Sequence, residues 1–255
     1  MGKGLSVFAQ IYRDKGNSSK SPPPPSPAPP KTKLRLTHHR LSLTIAVSWL
    51  FLLLSVALVG VVWTPYNPNQ AEVADQFQAP TWEHWLGTDG IGRDLLSMVM
   101  KGLGVSLMIA SAVALLSIGL ALIWSAGFTK FPDWLPFLDI WIAFPILVLA
   151  MALSVSLGAS AWVIILACSF GFSISSARIL IPKVRQIYST DFMKNLRLMG
   201  GKPIYLAIRH VLPNLFPLLV LQISASFTGA ILSEVGLTYL GLGVPNAWFS
   251  LGQVL

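Results

Sequence analysis

Hydrophobic and polar positions fall along this chain in long blocks. Five apolar runs, at about residues 43–63, 104–126, 136–157, 161–177 and 213–232, reach or approach the roughly 20 residues that a helix needs to cross a hydrocarbon core. The pattern predicts five membrane-spanning helices, the fourth being the shortest. Between the fourth and fifth runs, Tyr188 to Asn214 (YSTDFMKNLRLMGGKPIYLAIRHVLPN) is the one polar, basic interval in the second half of the chain. Phe192, Leu196 and Met199 recur there at helical spacing, with Lys194, Asn195 and Arg197 mostly off that face, so a short amphipathic helix is expected. The pair Gly200-Gly201 should stop it. A second short helix is expected from Pro203, ending at Leu212-Pro213 where the last apolar run begins.

Composition changes the picture from possible spans to a membrane protein. Apolar residues make up 54% of the chain and charged residues 11%, against about a quarter charged in a soluble domain. An all-α, polytopic helical protein is therefore expected, with a tail at 1–40 and a transmembrane domain at 41–255. The formal charge of +8 would suit nucleic acid, but the basic residues sit in loops beside the spans. Lys and Arg in short loops stay on the cytoplasmic side. Eight precede the first span and seven lie between Arg178 and Arg209, whereas 64–103 has only Arg93 and Lys101 against Glu72, Asp75, Glu83, Asp89 and Asp94. Together with Lys130, this sets the N-terminus inside, 64–103 outside, 127–135 inside, 158–160 outside, 178–212 inside and 233–255 outside.

The remaining features add local chemistry. SPPPPSPAPP at 21–30 favours an extended polyproline spacer over a ligand for a partner domain. His38 and His39 have too few neighbours to hold a metal. The TPYNPNQ cluster after Trp63 ends the first span, with Trp63 and Tyr66 suited to an interfacial aromatic belt. In HWLGTDGIGRDLLS, from His84 to Ser97, Thr88 or Asp89 is expected to cap a helix whose first turn holds Arg93 and Asp94. Gly87, Gly90 and Gly92 permit a tight backbone there. A structural turn is the simpler reading of this block, and contact with a substrate-delivering protein the sharper one. Pro145 should bend the third span, near whose inner end Asp133 and Asp139 can reach the interface. Cys168 reads as a small packing residue. Ser169, Ser173 and Ser176 form a stripe that suits helix packing first and a transport pathway second; Gln222, Ser224, Ser226 and Thr228 are similarly ambiguous. Glu234, near an outer end, needs no buried partner.

Three blocks carry a resemblance. Leu212-Pro213, with Gly200 twelve positions before the leucine, resembles the cytoplasmic EAA loop of ABC-importer permeases. Lys194-Asn195-Leu196 stands where that pattern has an acid and two alanines. HWLGTDGIGRDLLS and ILSEVGLTYLGLGVP (Ile231 to Pro245) resemble the C-type subunit of the peptide and nickel branch. The resemblance implies a bacterial inner-membrane permease that forms half of a pathway with a different permease subunit. It further implies two ATP-binding subunits and an extracytoplasmic substrate-binding protein as partners. Peptides are the leading substrate class, and nickel or a metal chelate the alternative. It also implies ATPase coupling through Phe192, Met193, Lys194, Asn195, Leu196, Met199, Gly200 and Gly201, and a sixth span after Leu255.

The residues separate this reading from other classes. No G-x-x-x-x-G-K-[ST] occurs in the sequence, so ATP-driven transport would draw on a separate ATPase. Mid-membrane ionisable residues and inverted repeats, expected of a secondary transporter or channel, are not evident. Neither HExxH nor GxSxG occurs, so no enzyme or cofactor is indicated.

Overall fold

The computed structural model describes residues 33–72, 75–131, 135–245 and 249–254. The proline-rich tail and Asp133 lie outside the described residues, as do the side chains of His38, His39 and Lys130. Among the described residues eight helices follow in order: α1 Lys33–Val62, α2 Leu95–Lys130, α3 Leu135–Ile142, α4 Ile146–Leu157, α5 Ala161–Tyr188, α6 Asp191–Leu198, α7 Pro203–Leu206 and α8 Leu212–Tyr239. A π-helical turn, Ala207–Val211, joins α7 to α8, and a 3₁₀ turn covers Leu251–Gln253. No strand occurs among the described residues beyond an isolated bridge between Thr88 and Asp94. The chain divides into residues 1–49 and a second compact unit, residues 50–255. In the first, Leu43, Ile45, Val47 and Trp49 are exposed along α1.

Side-chain contacts set the helix directions. The Trp124 Nε1 donates to Ser173 Oγ at 3.3 Å and the Arg185 guanidinium donates to the Phe128 carbonyl at 2.9 Å. Residue numbers therefore rise together along α2 and α5, which run parallel. Near the opposite end of α2, the Ser106 hydroxyl reaches Glu234, close to the end of α8, so α8 runs antiparallel to α2. The start of α5 thus lies at the end where α2 starts, and α3 with α4 must carry the chain back along the bundle. They do so as one broken span, bent by 73°. Pro145, expected to bend this span, interrupts it: its φ is −63° and ψ 123°, and proline disfavours helical backbone at the residue before it. Five passes result.

Two apolar clusters fill the bundle. One, near the start of α2, brings together Ile109, Val113, Ile164, Cys168, Ala230 and Leu237. Cys168 is buried in it, as its packing role requires. The other, near the end of α2, joins Leu138, Leu180, Val184, Met193, Leu206 and Leu215. Burying such side chains contributes about 1.5–3 kcal/mol each, where water rather than lipid is the reference.

Three expectations are corrected. The helices outrun the apolar runs: α5 continues past Arg178 to Tyr188 because Leu180, Ile181 and Val184 are buried along its extension. The helix beginning at Pro203 does not stop at Leu212-Pro213, and 203–239 is one continuous helical rod. The Leu212 N–H donates to Ala207 O, five residues back, a widened turn of the kind that accommodates Pro213, which has no N–H to donate. Glu234 is fully buried, where a carboxylate needs partners. It accepts from Ser106 at 2.8 Å and from Thr238 at 2.9 Å.

Candidate coupling helix and capping loop

At the end of the bundle where α2 finishes, α6 is held against two spans at once. Met193 is 1% exposed and belongs to the cluster formed by the end of α5 and the start of α8, with Leu196 packed beside it. The inward line is thus Met193–Leu196. The outward line is Phe192, Leu198 and Met199, the last two 85% and 84% exposed. This differs from the expected apolar face of Phe192, Leu196 and Met199: Leu196 turns inward beside Met193, which is buried in the chain's own core. Phe192 leans edge-on against His210, ring centroids 5.3 Å apart.

The α6 stop is a full Schellman motif. Gly200 N–H donates to Arg197 O and Gly201 N–H to Leu196 O, each at 3.0 Å, and Gly200 has φ +85°, which glycine adopts without a Cβ penalty. Lys194 forms an exposed ion pair with Asp191 at 3.0 Å, worth little by itself. Asn195 is exposed. Arg197 lies over the Tyr188 ring, 4.4 Å from its centroid. Ile204, Tyr205 and Ile208 extend the exposed apolar surface along the following rod. Basic side chains of Lys194, Arg197, Lys202 and Arg209 are interspersed with it, as suits a surface outside the hydrocarbon. An Asp139–Arg178 ion pair at 2.6 Å joins α3 to α5.

At the other end, the 64–94 loop is organised by three side chains. Asp94, not Thr88 or Asp89, caps α2: its Oδ2 accepts from Ser97 N at 2.8 Å and from Ser97 Oγ at 2.6 Å. Its Oδ1 meets His84 Nδ1 at 3.0 Å. Thr88 is engaged elsewhere, accepting from Gln78 N at 2.8 Å and donating to Asp75 O. Asp89 folds the glycine turn, accepting from Ile91 N and Arg93 N and pairing with the Arg93 guanidinium at 2.7 Å. Burial pushes the Asp89 carboxyl upward, but these amide and guanidinium contacts outweigh it and hold the group below its ordinary value. Gly87 and Gly92 both have positive φ, and a Cβ at Gly92 would collide with the Glu72 backbone. The Arg93 guanidinium also lies over Phe249, 5.5 Å from its centroid.

The mid-span polar residues divide by burial. Ser169, Ser173, Ser176 and Gln222 turn into the chain's own packing: Ser176 donates to Gln222 Oε1 at 3.3 Å, and Ser173 receives the Trp124 indole. They lie buried in the bundle, in the packing arrangement that is the first of the two readings of the serine stripe. Ser224 and Thr228 remain exposed on α8, each donating to the carbonyl four residues back at 3.0 Å.

Residues 117–254, from mid-α2 to the final 3₁₀ turn, match the model of a family described as binding-protein-dependent transport system inner membrane component. The chain belongs to this permease family. A peptide transport system permease protein of Brucella suis biovar 1 is 35% identical over 215 residues, covering 81% of this chain and 72% of the relative. A second B. suis peptide permease protein is 30% identical, with coverage of 80% and 69%. The oligopeptide transport system permease protein OppC of Mycobacterium bovis is 28% identical, with coverage of 75% and 68%. As a binding-protein-dependent permease, the chain is a membrane-embedded transport subunit that associates with other ABC transporter components. The matched region contains α6, its glycine stop and the whole of α8.

Proposed function

We propose that this permease forms half of the pathway of an ATP-driven peptide importer and receives the ATPase stroke through α6. Membership of the family and the peptide-transport names of its relatives support the cargo class over nickel or a metal chelate. In this reading a second, different permease supplies the other half of the pathway. Two ATP-binding subunits lie on the cytoplasmic side, and an extracytoplasmic binding protein delivers the peptide. The chain resides in the bacterial inner membrane with its N-terminus, 127–135 and 178–212 in the cytoplasm and 64–103 and 233–255 outside.

The observation that carries the coupling role is the division of α6 into an inward and an outward apolar line. Met193 and Leu196 fix the helix to the end of α5 and the start of α8, while Phe192, Leu198 and Met199 stand exposed among basic residues. An amphipathic helix with such a face suits a groove on a partner. Because it is seated on two spans, a displacement of α6 moves both rather than bending a free loop. On the pathway side, Ser224 and Thr228 are the candidate lining residues, their hydroxyls exposed at mid-span. The Gly87–Asp94 turn is a rigid extracytoplasmic cap available to a delivering protein.

The test is reconstitution of the chain with its partner permease, ATP-binding subunits and binding protein in liposomes. ATP-dependent uptake of a labelled peptide is expected only from the complete set. Equal uptake without the binding protein and ATP would contradict importer function.

A further inference from the structure

A cavity of about 690 Å³ opens between the end of α1, the start of α2 and the loop that joins them. Its lower wall is aliphatic: Val56 and Val59 from α1 and Met100 from α2. Ser55 also lies there, but its hydroxyl is turned back to the Phe51 carbonyl at 2.7 Å, so the floor asks for no water. The upper wall is aromatic, with Trp63, Trp82 and Trp85 61%, 95% and 69% exposed. Tyr66 leans against His84 there, the rings tilted by 38° with centroids 4.7 Å apart.

The cavity runs from the last turns of one candidate span and the first turns of the next into the loop that joins them, the level at which hydrocarbon would give way to headgroups. Lys101, next to the cavity-lining Met100, donates its ammonium to the Val61 carbonyl near the end of α1 at 3.2 Å. Ser55 lies eight residues before Trp63, about 12 Å deeper at 1.5 Å per residue. Two carboxylates border the upper part, Glu83 and Asp94. Asp94 is committed to Ser97 and His84. Glu83 is exposed beside the three tryptophans, whose amphipathic rings favour this depth.

We infer that this groove is a specific seat for a zwitterionic aminophospholipid of the phosphatidylethanolamine type. One acyl chain lies along Val56, Val59 and Met100, and the headgroup ammonium sits between the Glu83 carboxylate and the Trp82 face. An apolar floor below the boundary takes a hydrocarbon chain. A carboxylate and indoles above it attract a cation, and Glu83 repels a purely anionic headgroup. The site goes beyond the transport reading and does not rest on it.

The full chain, reconstituted in vesicles with equal phosphatidylethanolamine and phosphatidylglycerol, each carrying a photoactivatable chain in turn, tests the site by peptide mapping. Cross-links at 55–59 and 96–100 are expected to favour phosphatidylethanolamine by about fivefold, the factor that roughly 1 kcal/mol of cation attraction gives. Val59→Trp, which fills the open wall, should abolish these cross-links while leaving those elsewhere on α1 unchanged. Glu83→Gln should keep them and equalise the two lipids. Equal labelling by both lipids in the unaltered chain, or labelling indifferent to Val59→Trp, overturns the proposal. So does loss of the cross-links when the second permease is co-assembled, which would assign the groove to a partner helix.

Discussion

The Ser106 hydroxyl donates to the buried Glu234 carboxylate at 2.8 Å, across 128 residues of sequence. The same hydroxyl oxygen accepts from Leu251 N at 3.1 Å, so one polar node ties α2, α8 and the segment after α8. Glu234→Ala should destabilise the bundle by about 1–3 kcal/mol, because buried hydroxyls lose their acceptor. Glu234→Gln, which retains an acceptor, should cost less. Thermal unfolding in detergent, with protease protection of 249–254 as a local readout, checks both.

Stability of the 64–94 loop should depend on pH through Asp89. Its folded pKa is lowered from 3.8, so its contribution is fully present above that value and is lost as pH falls below it through the folded value. Hydrogen exchange of the Ile91 and Arg93 amides should stay slow from pH 7 to about 4 once corrected for intrinsic rates, then accelerate. In Asp89→Asn the step should vanish. A separate cap variant, Asp94→Ala, should destabilise the start of α2 by about 0.5–2 kcal/mol.

The predicted orientation is tested by thiol labelling. Cys168 is buried and leaves a quiet background. Gln76→Cys should react with an impermeant reagent in intact cells, while Asn195→Cys should react only after permeabilisation. The reverse pattern contradicts the topology.

The five passes were legible because each apolar run reaches or approaches the length that a span needs, the fourth, 161–177, being the shortest. Their ends were not, since a hydropathy run ends at its first charge, whereas α5 passes Arg178 and stays helical through the burial of Leu180 and Val184. The cap of α2 was hidden among Thr88, Asp89 and Asp94. Tertiary contacts decided it, because Gln78 and Asp75 occupy the Thr88 hydroxyl. The signal available was Asp94 as a capping residue immediately ahead of an apolar stretch. On α6 the helix and its glycine stop were readable, but the buried side was not. With only two turns, Phe192-Leu196-Met199 and Met193-Leu196 fit a helical stripe equally well, and packing against Val184, Leu206 and Leu215 selects Met193.

Gly200→Val should disturb the α6 stop specifically. A β-branched residue at φ +85° costs about 1–2 kcal/mol, and the Gly201 amide should lose hydrogen-exchange protection as its bond to Leu196 O opens. The rest of the bundle should keep its protection, since nothing lies within 4 Å of a Cβ at this position.

The most direct test of coupling through α6 is peptide uptake and ATP-binding-subunit co-purification in the reconstituted complex carrying Leu198→Asp and Met199→Asp. Both side chains are more than four-fifths exposed, so the permease itself should fold and pair normally. Co-purification is expected to fall at least about tenfold, as when apolar anchors worth 1.4 kcal/mol or more are removed from an interface, with ATP-driven uptake lost alongside it. Normal co-purification together with normal uptake would show that α6 does not receive the stroke.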